Sequence, residues 1–159
     1  MIQRIQSLYL LLVFLLSTMM LLLNPNFAKF INTKAEKISS ELHFITKNYY
    51  NQADPGGQPY DKLNFFILLS MGIGSVYAIF LYKKTELQKK ICLYVSLMSV
   101  VLLSSLIFDF LKMSQDAPDI SSYPSIHGIW PFACAVLSAL AWAAIRRDEK
   151  LLKSMDRIR

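Results

Sequence analysis

Four long apolar segments constrain the fold of this chain more strongly than any other feature of its sequence. They cover residues 5–23, 63–82, 91–111 and 129–145. Asp109 is the only charged residue within them. Because a helix rises about 1.5 Å per residue, segments of this length approach the roughly 30 Å thickness of a hydrocarbon layer. The sequence therefore predicts an all-α membrane protein whose single domain, residues 1–159, is a bundle of four transmembrane helices.

The first apolar segment follows Arg4 and has to be distinguished from a secretory signal peptide. The apolar part of a signal peptide usually has about 7–15 residues. This segment has 19 residues, and no A-x-A cleavage motif follows it in the sequence NPNFAKF. We therefore expect a retained helix that anchors the chain in the membrane.

A polar segment, residues 24–62, separates the first two apolar segments and is predicted to lie on the outer side of the membrane. Apolar residues spaced by three and four predict an amphipathic helix in it: Ala35, Ile38, Leu42, Ile45 and Tyr49. Residues 41–50 are also rich in types that favour strands, so a short hairpin is the alternative. The sequence DPGGQP at residues 54–59 predicts a turn that ends either structure.

Basic residues are concentrated beside the apolar segments. Eleven Lys and Arg residues lie in the N-terminus, in the turn between the second and third apolar segments, and in the tail at residues 146–159, whereas six lie in the other two connections. Short basic connections stay on the cytoplasmic side of a membrane. We therefore expect both termini in the cytoplasm, and the lipid bilayer, not nucleic acid, as the partner that explains these charges.

Small residues predict where the helices pack closely, because lipid provides no hydrophobic drive for helix association. Each of the last three apolar segments carries such residues at helical spacing, whereas the first has almost none. The predicted packing positions are Ser70, Gly74, Ala78, Ser96, Ser99, Ala135, Ala139 and Ala143. We expect the last three helices to form a tight core, with the first packed more loosely or facing a partner.

The tail at residues 146–159 predicts an amphipathic helix that continues from, or bends away from, the fourth apolar segment. At about 100° per residue, one face is apolar and the opposite face is basic. The candidate docking residues are Arg146, Arg147, Leu151, Leu152, Lys153, Met155, Arg157 and Ile158. They fit a membrane-protein partner or anionic lipid headgroups, and a solvated end that only fixes orientation is the alternative.

One candidate polar site is present near the outer end of the third apolar segment. Asp109 is a functional candidate because ionisable groups are costly within a membrane, and Lys112 and His127 follow in the next connection. Asp109 and His127 can face each other as a proton site, or Asp109 can pair with Lys112. Since neither His43 nor His127 lies deep in an apolar segment, we expect no haem, no all-histidine zinc site and no cofactor.

Three stretches of the chain carry a resemblance to a known family. MIQRIQSLYLLL, IFLYKKTELQKK and AIRRDEKLLKSMDRIR together resemble an uncharacterised family of small four-span proteins of Bacteroidota, described as a domain of unknown function. The resemblance covers essentially the whole chain. It implies a location in the bacterial inner membrane, and it implies no activity, cofactor or catalytic residue.

These features favour a non-enzymatic accessory or scaffolding subunit of a larger membrane complex. The first helix and the basic tail would supply its docking surfaces. A small membrane enzyme or carrier that uses Asp109 and His127 is the alternative from a different class. A third hypothesis is a lipid-binding protein in which the outer segment and the four helices enclose a lipid.

Overall fold

The computed structural model describes residues 3–32, 37–49, 61–81, 84–115 and 120–156. Its long helices are α1 (Gln3–Leu23), α2 (Lys62–Phe80), α3 (Thr85–Gln115) and α4 (Ile129–Asp156). Each contains a stretch long and apolar enough to cross a membrane. The predicted bundle of four membrane-spanning helices is therefore confirmed. Helices α3 and α4 extend well beyond their apolar segments, by residues that are mostly charged or polar.

The four helices form a closed bundle in which each one packs against the next and α4 packs against α1. The expectation that α1 packs loosely is wrong, because Leu10, Val13 and Met20 of this helix are fully buried. Ser17 is also buried, and a Cβ added to Gly72 of α2 would lie 3.4 Å from its Oγ. The N-terminus of α1, the α2–α3 connection and the later part of α4 share one end of the bundle, called here the basic end.

The opposite end, called here the sheet end, carries a small antiparallel sheet. Its strands are β1 (Asn26–Asn32), β2 (Lys37–His43), β3 (Lys47–Tyr49) and β4 (Ile120–Pro124), in the order β3-β2-β1-β4. The helix predicted across residues 35–49 is wrong wherever the chain is described, and the hairpin alternative is correct. Leu42 and Ile45, whose spacing suggested the helix, are both buried, but Leu42 lies in β2 and Ile45 lies in the turn that follows it. Residues 33–36 and the predicted turn at 54–59 lie outside the described residues.

Asn24 fixes the corner at which α1 ends and the sheet begins. Its backbone has a φ of 40°, a left-handed conformation that asparagine tolerates better than most residues. Its side-chain Oδ1 accepts a hydrogen bond from the amide of Ile45 at 2.9 Å, and its Nδ2 donates to Thr46 Oγ1 at 2.9 Å. His43 Nδ1 lies 2.8 Å from the carbonyl oxygen of Asn24. The end of α1 is thereby fastened to the turn between β2 and β3.

The main apolar core runs from the middle of the bundle to the underside of the sheet. Phe27 and Phe44 pack edge to face at 6.1 Å between ring centroids, and Phe30 lies 5.6 Å from the ring of Phe110 on α3. A smaller cluster occupies the basic end and consists of Leu10, Ala78, Cys92, Ala141 and Ile145. The sheet is therefore part of the same core as the helices.

Candidate functional site at the basic end

The three residues of the predicted polar site lie near the sheet end of the bundle. Asp109 is partly buried near the end of α3, and Lys112 is exposed one turn further on. His127 Nδ1 lies 2.9 Å from Ser125 Oγ, and its ring packs edge-on against Trp130. In the described part of the chain, no group of three or more His, Cys, Asp and Glu residues is arranged to hold a metal ion.

Most of the predicted packing positions on α2 and α3 lie at or beside the contact between these helices, whereas Ser96 faces α4. Ala78 and Ser99 are fully buried, whereas Ser70 and Ser96 are partly buried. A Cβ added to Gly74 would lie 3.2 Å from Val95 Cγ2, so the glycine permits this close approach. The hydroxyl groups of both Ser70 and Ser99 donate to carbonyl oxygens of their own helices.

The alanine stripe of α4 borders the buried face of this helix. Ala135 and Ala143 are partly buried and Ala139 is exposed. The most buried positions follow a neighbouring line: Cys134, Ser138, Ala141 and Ile145. Ser96 Oγ on α3 donates to the carbonyl oxygen of Ala135 at 3.4 Å, so this part of the stripe lies beside α3, whereas Ala143 lines a recess with Tyr9 of α1. Small side chains here leave space between the two helices at the surface.

Polar contacts between helices hold the basic end together. Lys89 Nζ on α3 lies 2.8 Å from Glu149 Oε2 on α4 and 2.9 Å from Glu86 Oε1 on its own helix. The side chain of Gln6 on α1 donates to the carboxylate of Asp148 on α4. Hydrogen bonds from Lys89 to Glu149 and then Glu86 raise the pKa of this lysine, so its ammonium group stays charged. The first turn of α4 beyond its apolar segment is therefore tied to both α1 and α3.

The charges of this turn are separated by sign. Asp148 and Glu149 are partly buried and bind neighbouring helices, whereas Arg146, Arg147 and Lys150 are exposed. Steps of about 100° per residue place residues 146, 147 and 150 within one arc of the helix and residues 148 and 149 within another, which explains the separation. The two acidic side chains bind residues of neighbouring helices, whereas the three basic side chains are exposed at the surface.

Two adjoining recesses between α3 and α4 form a groove, called here the α3–α4 groove. The apolar part has a volume of about 410 Å³, and its walls include Cys92, Leu93, Ser96, Val100, Ala139 and Trp142. The charged part has a volume of about 340 Å³, and it is lined by Glu86, Lys89, Lys90, Leu93, Trp142 and Arg146. Leu93 and Trp142 line both parts. The groove therefore leads from the apolar flank of the bundle to its cationic end.

Trp142 also holds one of the cations at the mouth of the groove. The guanidinium carbon of Arg146 lies 5.2 Å from the centre of the Trp142 ring, within the range of a cation–π contact. Tryptophan is suited to membrane–water boundaries because its ring is apolar and its N–H is polar. The arrangement can bind a ligand that is apolar along most of its length and anionic at one end.

Sequence reasoning identified part of this site. Arg146, Arg147 and Leu151 were predicted as docking residues, and all three are exposed. The side chains of Leu152, Lys153, Met155, Arg157 and Ile158 lie outside the described residues. Sequence reasoning did not identify Lys90 as a site residue. It also missed the contacts of Asp148 with Gln6 and of Glu149 with Lys89. The sequence RRDEK at residues 146–150 contained a usable signal, because its helical projection separates the two acids from the three bases.

The fold and the basic end together define a class: a multi-pass membrane protein with four apolar helices and a small sheet over one end of the bundle. The family model described as "Domain of unknown function (DUF4293)" matches residues 2–158, and the chain belongs to this family. The resemblance to an uncharacterised family is thus confirmed. No curated protein and no solved structure matches the chain.

Proposed function

We propose that this chain is a non-enzymatic accessory subunit of a larger inner-membrane assembly, to which it presents the basic extension of α4. The continuity of α4 carries this proposal. The helix runs unbroken from Ile129 to Asp156, so eleven residues follow the end of its apolar segment at Ile145. At about 1.5 Å per residue, they extend the helix by roughly 16 Å.

The direction of this extension favours a protein partner over the bilayer surface. An amphipathic helix that binds lipid headgroups lies in the plane of the membrane. Such a position would require a bend after the membrane span, whereas α4 continues as one helix. The Lys89–Glu149 and Gln6–Asp148 contacts hold the first turn of this extension against α3 and α1. The later part of α4 therefore leads away from the lipid.

The exposed side chains suggest the chemistry of the partner. Arg147 and Lys150 are exposed, and Leu151 has 53% of its surface accessible. A surface that combines acidic groups with an apolar patch complements this face. The excess of Lys and Arg at this end supports a cytoplasmic location for the partner, because basic connections stay on that side.

Gentle purification at native expression levels tests the proposal. The tagged chain should migrate above its monomer mass in mild detergent, and mass spectrometry should identify a stoichiometric partner. Joint substitution of Arg147→Gln and Lys150→Gln should release that partner. The matched control, Lys62→Gln with Lys112→Gln, removes two exposed charges at the sheet end and should retain it.

Two results would overturn the proposal: migration of the native chain as a monomer, or equal loss of the partner from both double variants. A reporter fused after Arg159 should also be active in the cytoplasm, and activity only outside would exclude a cytoplasmic partner for this surface.

A further inference from the structure

We propose that the α3–α4 groove binds one anionic phospholipid from the leaflet at the basic end. Its headgroup phosphate would bind Lys90 and Arg146, and one acyl chain would lie in the apolar part of the groove. This inference goes beyond the accessory role and does not depend on it, because its ligand is supplied by the bilayer and needs no partner subunit.

Charge complementarity favours an anion at the mouth of the groove. Lys89 lies between Glu86 and Glu149, and this group of three carries one net negative charge. Lys90 and Arg146 add two positive charges, and neither forms an ion pair with any residue in the described ranges. Arg147 and Lys150 adjoin a neighbouring recess that Trp142 and Arg146 also line. The local charge is therefore positive, and two cations remain available for a ligand.

The apolar part of the groove favours a lipid over a soluble anion. It lies beside the segment of α3 that is apolar enough to cross the membrane. Of its polar groups, the hydroxyl of Ser96 already donates to the carbonyl oxygen of Ala135. Small side chains at Ser96 and Ala139 provide the space between Leu93 and Trp142. A free phosphate would leave this surface uncovered, whereas an acyl chain of the bilayer would fill it.

Trp142 explains how the two parts act together. It lines both parts of the groove, and its ring carries the guanidinium of Arg146. The cation is thereby held where the apolar walls end. This boundary is the depth at which the phosphate of a phospholipid meets its acyl chains.

Native mass spectrometry of the purified chain in a neutral detergent tests the site. The probes are dioleoylphosphatidylglycerol, dioleoylphosphatidylcholine and the soluble headgroup glycerophosphoglycerol. We expect one retained phosphatidylglycerol molecule, bound at least about tenfold more tightly than phosphatidylcholine, and weaker binding of the soluble headgroup. Equal binding of the two lipids would overturn the proposal, and so would binding of the soluble headgroup as tight as that of the lipid.

The charged part of the site is tested by joint substitution of Lys90→Gln and Arg146→Gln. Each cation near an anionic headgroup contributes about a fivefold change in affinity, so phosphatidylglycerol should bind roughly 25-fold more weakly. Binding of phosphatidylcholine should fall by less, because its choline group offsets the charge of its phosphate. Lys84→Gln is the matched control, because Lys84 is exposed at the same end but lines a different recess with Tyr77 and Leu81. An equal loss in this control would show a general charge effect and contradict the site.

The apolar part is tested by Ala139→Phe, which fills the groove without changing any charge. Since Ala139 is exposed, the bundle should still fold, and circular dichroism would verify this. Binding of phosphatidylglycerol should fall by at least about tenfold, as expected when binding depends on burying the acyl chain. Val136→Phe is the control, because Val136 is exposed on the same helix outside the groove. Unchanged binding in Ala139→Phe would overturn the proposal, because the acyl chain would then bind outside the groove.

Discussion

The two ends of the bundle are stabilised in different ways. At the sheet end, four strands cover the helices, and Phe27, Phe30 and Phe44 join the main core. At the basic end, a small apolar cluster is supplemented by the Lys89–Glu149 and Gln6–Asp148 contacts. The first end is closed by buried apolar groups. The second end is tied by charged groups and leaves several cations at its surface, which is the arrangement expected of a binding end.

This difference follows from the surroundings of each region. Lipid gives no hydrophobic drive for association, so the membrane-spanning parts of the helices depend on close packing and interhelical hydrogen bonds. The sheet has to be stable where water replaces lipid, and there the burial of apolar surface contributes about 25 cal/mol per Å². The aromatic residues of the sheet therefore contribute more to stability than similar residues that face lipid.

The largest effect is expected from Phe30→Ala at the sheet end. Phe30 is 1% exposed and packs against Phe110, so its truncation leaves a cavity and should lower the free energy of unfolding by about 3–5 kcal/mol. Thermal unfolding in detergent would measure this change. Phe66→Ala is the matched control, because Phe66 is 63% exposed on α2 and its removal leaves no cavity. Similar shifts in the two variants would contradict the assignment of the main core.

The helices were predictable from sequence, whereas of the sheet only a hairpin was predicted, as the alternative to a helix. Apolar length alone locates α1, whose observed end at Leu23 coincides with the end of the first apolar segment. Strand β1 pairs with both β2 and β4, and β4 follows two further helices along the chain. Such distant pairing leaves no periodic signal at β4. The segment containing Leu42 and Ile45 also fitted helical spacing, and only its partner strands decide its structure.

The groove was hidden from sequence reasoning for a similar reason. The exposed bases Arg146 and Arg147 were predictable from charge and helical projection. The apolar part depends on the rotation of α4, because one step along the helix turns a side chain by about 100°. Ala139 was predicted as a packing position, yet it lies in the groove, and the neighbouring Ser138 is buried instead. Only the packing against α3 distinguishes them.

An intermediate effect is expected from Ser105→Ala, which removes an interhelical hydrogen bond near the sheet end. Ser105 Oγ donates to Asn64 Oδ1 at 2.6 Å, and Asn64 is buried between α2 and α3. Such bonds contribute about 0.6–1.7 kcal/mol in membrane proteins. Thermal unfolding in detergent should therefore show a moderate loss. Ser104→Ala should have little effect, because the exposed Ser104 hydroxyl donates only to its own helix. An equal loss in both variants would assign the effect to α3 alone.

The smallest effect is expected at the basic end, from Glu149→Gln. The pair with Lys89 is only partly buried, with side-chain exposures of 18% and 17%, and Lys89 keeps Glu86 as a second partner. The unfolding temperature should therefore fall by less than in Ser105→Ala, and added salt should reduce the difference further. Amide hydrogen exchange in residues 146–156 should nevertheless become faster, because Glu149 ties α4 to α3. Glu86→Gln should leave this exchange unchanged, since Glu86 pairs with Lys89 within one helix. If Glu149→Gln destabilised the protein as much as Phe30→Ala, the basic end would belong to the stabilising core, and its distinction from the sheet end would fail.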